Sequence, residues 1–388
     1  MPRLSDRELL ARLVGFDTTS ATSNLPLIDF VADYLDGRGA RIHRLPSDDG
    51  SKANLAVVIG PEVDGREGLT LCGHTDVVPA KERDWESEPF EAVERGGTIV
   101  GRGTADMKGF LALAVQALAA ADLASLARPL AILFTYDEEV GTLGARRLAE
   151  TGGPPEPLPR RTIVGEPTSL LPRRLHKGHL RLRVVVDGTA AHSGVPHAGR
   201  SAIEPAARVV TALADLRRAL ESERPPHADA FPQVPFVTLN VGRIEGGVAA
   251  NVIPDRCAVE IGARLLPGMD TRAFVGRVSE TVAAAAGDAP HAIEVGGESP
   301  PVSTDEGCDL WRWLKAAAQP VGPAENPISV PFATDAGWLQ RLGFECVIWG
   351  PGSIEVAHRA NEYVPLEDLQ RARALLGRAV DRWCRNPA

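Results

Sequence analysis

The sequence predicts an α/β protein with a mostly parallel sheet, interrupted by an inserted α+β domain. Three observations carry this. At 388 residues the chain exceeds one ordinary core. Up to Val164, β-branched runs alternate with helical stretches, the order of a parallel sheet with crossover helices. From Leu180 to Val295 the texture becomes β-α-β-β-α-β, the ferredoxin-like split pattern, before the α/β texture resumes.

Taken in order, the chain starts with a helix through Phe16. Ser5 and Glu8 form its capping box, and Leu9, Leu10, Leu13 and Val14 form its apolar face. A second helix follows near Leu25–Leu35, then strands at Asn54–Ile59 and Leu69–Cys72. The β-prone run Gly97–Val100 leads into a glycine-punctuated turn, and an apolar helix leaves it from Phe110 to Ala121. A strand at Leu130–Thr135, a helix at Thr142–Glu150 and a strand at Arg161–Val164 follow. In the insert, strands are expected at Leu180–Val186, Val237–Val241, Ala258–Arg264 and His291–Val295, with Ile244–Asn251 as a hairpin region. Its helices are Ser201–Leu220 and Thr271–Ala286. The last part has helices at Cys308–Ala318 and Leu366–Trp383 around a short strand, Cys346–Trp349. The expected domains are therefore residues 1–178 and 299–388 for the α/β part and 179–298 for the insert, which would cover the first domain as a lid.

Composition narrows the class. Apolar content of 44% and charged content of 24% are those of a globular protein in water. A net charge of −9 argues against nucleic-acid and anionic-membrane partners, and 5% aromatics argues against base-stacking platforms. The N-terminus reads as a helix start rather than a signal peptide, and no run approaches the roughly 20 apolar residues of a spanning helix. Five scattered cysteines without CxxC spacing read as reduced buried thiols, which places the chain in the cytoplasm.

The stretch Gly101–Gly109, GRGTADMKG, holds Asp106 in its turn. Four other loops carry metal-type side chains: His74-Thr75-Asp76, Asp137-Glu138-Glu139, Gly165-Glu166-Pro167 and Ala357-His358-Arg359. Taken singly, each is as readily a surface acid or a structural histidine. Together they follow strands, and ligands of an open parallel sheet bind beyond the carboxyl ends of its strands. Acids clustered there repel one another unless a cation holds them. Imidazole and carboxylate donors without thiolate suit a catalytic zinc, or cobalt or manganese. Two such ions, roughly 3.5–4 Å apart, need a bridging carboxylate, for which Asp106 is the candidate. Asp76 is placed to accept the second ring N–H of His74. Of the adjacent pair Glu138 and Glu139, one can bind metal while the other faces a reacting water; spacing does not decide which.

The motifs LCGHTDVVP, GRGTADMKG, DEEVGTLGA, GEPT, AHSGVPHAGRSAIE and AHRANEYV occur in the order of the M20 family of dinuclear zinc aminoacylases and peptidases, which the chain resembles over essentially its whole length. The resemblance implies a dinuclear metallohydrolase domain with a lid and dimerisation insert. It implies one ion on His74, Asp106 and Glu166 and another on Asp106, Glu139 and His358, with Glu138 as base and a cis peptide after Asp106. It further implies a homodimer in which His192 stabilises the oxyanion from the partner subunit. Asn251 and Arg264 match lid positions that contact a substrate carboxylate, for which Arg offers a bidentate fork.

The tail GPGSIEVAHRANEYVPLEDL resembles the acetylornithine deacetylase pattern, which implies hydrolysis of an N-acetyl amino acid, first of all N2-acetyl-L-ornithine. The lid segment and Ala333-Thr334-Asp335-Ala336 depart from that pattern. Succinyl-diaminopimelate, acetylcitrulline and other N-acyl amino acids therefore stay open as substrates. Asp335 and Glu355 are candidates to meet the side-chain amine of ornithine. A serine hydrolase lacks its GxSxG elbow, and no P-loop or complete dinucleotide fingerprint is present. A non-catalytic binding protein on the same fold would have lost a ligand or the base, and none is lost.

Overall fold

A computed structural model of the chain describes residues 2–62, 67–81, 83–318 and 328–385. It divides into two units. The first comprises Met1–Arg174, Thr304–Ile328 and Thr334–Ala388; the second comprises Leu175–Ser303 and Ser329–Ala333.

The first unit is built on a six-stranded sheet. Its spatial order is Arg41–Pro46, Ala53–Ile59, Leu130–Thr135, Leu69–His74, Arg161–Val164 and Glu345–Ile348. The last four strands run parallel, whereas Arg41–Pro46 and Ala53–Ile59 pair antiparallel with each other, and Ala53–Ile59 pairs antiparallel with Leu130–Thr135. Every residue of Ala53–Ile59, Leu69–His74 and Leu130–Thr135 is buried, which is why these strands read as continuous apolar runs rather than alternating ones. Leu55, Val57 and Ile59 pack into the main core with Leu9, Leu13, Ile28, Val31, Phe110 and Leu111. The first helix, Asp6–Val14, carries the expected capping box between Ser5 and Glu8.

The edge strand Arg41–Pro46 is not among the sequence expectations. Its residues RIHRLP are half-buried to exposed and rich in charge, as an edge strand requires, and so lack the apolar signal of their neighbours. The six-residue helix Ala336–Arg341 is likewise outside those expectations, being too short for a helical period to show. Register aligns His74 with Thr135, and Val164 with both Cys72 and Ile348. The parallel half of the sheet therefore delivers four chain segments to one edge.

The second unit has the expected ferredoxin-like order: Gly178–Asp187, helix Ile203–Ser222, Thr238–Gly246, Arg256–Leu265, helix Thr271–Ala286 and His291–Ser299. All pairs are antiparallel, with Arg256–Leu265 and Gly178–Asp187 central and the other two strands at the edges. The two helices pack on each other and against the sheet, and Val209, Leu213, Val278 and Val282 on them are buried. Asp270 caps the second helix through the Arg272 and Ala273 amides. Strand Thr238–Gly246 runs further than expected and takes up Ile244, so the hairpin region begins at Gly247. The α/β class with a ferredoxin-like insert is the fold observed. Among the described residues no helix is long and apolar enough to cross a membrane, and all five cysteines are free thiols.

Candidate active site

Asp106 sits in a π-helical turn, Thr104–Lys108, between the strand Thr98–Val100 and the helix Gly109–Ala120. The turn opens on Gly103 at φ +80°, where a Cβ would also stand 2.7 Å from Val77 Cγ1, so glycine is required twice over. The peptide bond Asp106–Met107 is cis. The two oxygens of the Asp106 carboxylate face different imidazoles: Oδ1 lies 3.0 Å from His74 Nε2 and Oδ2 lies 3.2 Å from His358 Nε2. His358 Nε2 is also 3.0 Å from Glu139 Oε1. Ligand atoms of His74, Asp106 and Glu139 fall within 4.8 Å of one another. A carboxylate shared in this way between two imidazole-bearing groups has the form of a bridge.

His74 ends its strand, and its Nδ1 is 2.9 Å from the Asp76 carbonyl oxygen. A carbonyl only accepts, so Nδ1 carries the proton and Nε2 is turned towards Asp106. The Asp76 carboxylate also faces this nitrogen, with Oδ1 at 3.6 Å, so the carbonyl and the carboxylate of Asp76 both lie on the Nδ1 side of the ring. That carboxylate has further partners. Oδ1 accepts the Glu138 amide at 3.0 Å; Oδ2 accepts the Glu139 amide at 3.2 Å and the Ser20 hydroxyl at 2.8 Å. Asp76 thus fixes the loop that carries both glutamates.

Glu166 follows the strand Arg161–Val164 and is 4% exposed. Burial, then the Asp106 charge, pushes its carboxyl well above the ordinary range. Burial raises Glu138 strongly too, with Glu166 and Glu139 adding to it, and burial and Asp106 raise Glu139. Burial alone would raise Asp106, but His358 and His74 hold it well below the usual carboxylate range. Asp106 and Glu139 in turn push His358 up to about 10. The donor set is therefore short of positive charge: it holds together only with protons on its acids and imidazoles, or with cations in their place. Oxygen and imidazole donors without thiolate fit divalent zinc, cobalt or manganese.

Three surrounding groups carried no assigned part in the sequence reading. Ser20 supports Asp76. Glu362 accepts the Ala105 and Asp106 amides and pairs with Arg102. Thr135 donates to Asp335 Oδ2, while Asp335 Oδ1 is buried and finds no partner among the described residues; burial pushes this carboxyl up to about 6. The only sequence signal for Glu362 is its position four residues after His358. Glu355 is exposed.

In the second unit, the short strand Ala191–His192 pairs with Val252–Ile253, His192 opposite Val252. The Ser193 amide donates to the Asn251 carbonyl at 2.9 Å, so His192 and Asn251 share one small exposed element. Arg264 lies on the central strand Arg256–Leu265, opposite Thr238 and His179. Burial, with Arg264 adding to it, pushes the neighbouring His179 down to about 4.

The profile of peptidase family M20/M25/M40 matches residues 70–382. The chain belongs to this family. It is 39% identical over 387 residues to an acetylornithine deacetylase of Myxococcus xanthus, with 97% of each chain covered. It is 35% identical to an acetylornithine deacetylase of Proteus mirabilis (strain HI4320), over 97% of this chain and 96% of that one. Among solved structures, an M20 family metallo-carboxypeptidase from Sulfolobus solfataricus superimposes with a TM-score of 0.74 at 17% identity, covering 97% of this chain and 99% of that one; at this identity the likeness speaks for the fold. The chain is an M20-family hydrolase, and its full-length relatives support a deacylase.

Proposed function

We propose that this enzyme hydrolyses the amide of an N-acetyl amino acid, N2-acetyl-L-ornithine before others, giving L-ornithine and acetate for arginine biosynthesis. The observation that supports the site reading is the Asp106 carboxylate set between His74 and His358, with Glu138 and Glu139 on a loop tied to Asp76. The substrate choice draws on the two deacetylase relatives and the GPGSIE tail.

In this reading His74, Asp106 and Glu166 hold one divalent ion, and Asp106, Glu139 and His358 hold a second, with zinc ahead of cobalt and manganese. When bound, the pair supplies Lewis acidity and lowers the pKa of water towards roughly 7. Glu138 takes a proton from the attacking water and delivers it to the leaving nitrogen, so oxygen adds to the acyl carbon as the C–N bond breaks. His192 donates to the developing oxyanion, and Asn251 and Arg264 hold the α-carboxylate. Asp335, already bonded by Thr135, and Glu355 are the acids offered for the side-chain amine. The enzyme acts in the cytoplasm as a homodimer joined through the inserted unit, with His192 supplied in trans.

A panel of N-acyl amino acids, assayed with zinc, cobalt and manganese, tests the assignment. Acetylornithine should exceed succinyl-diaminopimelate at least about tenfold in kcat/KM, a margin of about 1.4 kcal/mol. The reverse ranking makes the protein a desuccinylase without changing the site.

A further inference from the structure

Two segments carry the central donors: Gly101–Gly109 with Asp106, and Ala357–Pro365 with His358. They are tied together by contacts in which no donor side chain takes part. Glu362 Oε1 accepts the main-chain amides of Ala105 and Asp106, each at 3.0 Å. Its Oε2 accepts from Arg102 Nη1 at 2.8 Å, and both side chains are 1% exposed. The Glu362 carbonyl accepts the Gly101 amide at 2.8 Å and the Thr104 hydroxyl at 3.3 Å. Arg102 reaches further along the same segment, donating to the Arg359 carbonyl at 3.2 Å, and to the Pro79 carbonyl at 3.3 Å. Its guanidinium stands 5.2 Å from the Trp85 ring centroid.

A fully buried ion pair is a poor source of stability, because desolvating two charges consumes most of the Coulombic gain. What it provides is direction. The carboxylate binds Arg102 on one side and two consecutive amides on the other, and one of those amides belongs to Asp106 itself. Asp106 has non-helical backbone angles, φ −122° and ψ 89°, inside its turn, so the aim of its carboxylate depends on what holds that main chain. Glu362 also lies four residues from His358, and Arg102 bonds the carbonyl of the very next residue, Arg359. The pair therefore sets the distance between the shared carboxylate and the imidazole that meets its second oxygen.

We propose that Arg102 and Glu362 are positioning residues for the two-ion site, holding the main chain of Asp106 in register with His358 and so fixing the affinity of the ion that these two share. The proposal rests on the two-ion reading above. Orientation of metal ligands by outer groups is commonly worth about 10–100-fold in affinity.

The test is zinc binding to the chelator-stripped full-length protein, by calorimetry and competition with a chromophoric chelator. Wild type, Glu362→Ala, Glu362→Gln and Arg102→Met are compared, with circular dichroism to check the fold. The expected result is a loss of about 10–100-fold in one of two zinc affinities in Glu362→Ala and Arg102→Met. Glu362→Gln, which keeps an oxygen for the two amides, should lose less. Turnover of Glu362→Ala should return at high zinc with substrate KM unchanged. Should Glu362→Ala fail to fold, Glu362→Gln and Arg102→Lys carry the comparison. Both zinc affinities within twofold of wild type in folded variants, with only thermal stability reduced, would overturn the proposal. A wild-type protein that takes up a single zinc overturns the two-ion reading instead, so the two failures are distinguishable.

Discussion

Asp106 presents one oxygen to His74 and the other to His358, so its removal should be felt by both ions and that of His358 by one. Asp106→Ala is expected to lose both zinc ions on metal analysis after gel filtration, and His358→Ala to retain about one. Full occupancy in Asp106→Ala would sink the bridging assignment. Glu138 offers a different test. As base rather than ligand, its change to Gln should leave metal content and thermal midpoint unaltered while kcat falls about 10²–10⁴-fold. Near wild-type turnover with both ions bound would pass the role to another group. At this scale the sequence was informative about residue type and position: acids and histidines at strand ends mark the cluster before any contact is known. It was silent on Asp76 binding the Glu138 and Glu139 amides and on Glu362 binding those of Ala105 and Asp106, because a carboxylate's choice of backbone partner leaves no trace in composition or spacing.

The elements explain why those side chains converge. Parallel strands send His74, Glu138, Glu166 and the segment before His358 out of one sheet edge, and the glycine-flanked turn brings Asp106 to meet them. The central strands were legible because burial on both faces leaves them apolar throughout. Arg41–Pro46 was not, since an edge strand in water carries charge that conceals its period. Close packing of the strand end Arg161–Val164 on helix Gly109–Ala120 can be tested at Gly165. A Cβ there would stand 1.9 Å from Cδ1 of the fully buried Phe110 ring. Gly165→Ala should therefore lower unfolding free energy by about 1–3 kcal/mol in urea titrations of the metal-loaded protein, as overpacking of a filled core does. It should also weaken zinc binding, because the next residue is Glu166. A change in unfolding free energy below about 0.5 kcal/mol would show that the ring can yield and that this junction is loosely packed.

At the scale of the molecule, the proposed donors for metal lie in one unit and His192 lies in the other, on a short exposed hairpin shared with Asn251. The family resemblance has this histidine reach a neighbouring subunit's site, and the reading of a homodimer follows from that. The inserted unit has material for an interface: its edge strands Thr238–Gly246 and His291–Ser299 are unpaired on their outer sides within the described chain, and Ile244, Val248 and Val295 are exposed. Complementation separates action in trans from action in cis. Glu138→Gln should be inactive for want of a base, and His192→Ala weakened by the loss of an oxyanion donor, typically about 10²–10³-fold in kcat. If chains exchange freely, an equal mixture contains about half heterodimers, each with one complete site when His192 crosses over and none when it does not. Activity of the mixture should then rise to about a quarter of wild type. Light scattering on the same samples reports the assembly. A fully active monomer, or a mixture no more active than its components after exchange has been shown by mass labelling, would return His192 to its own chain's site.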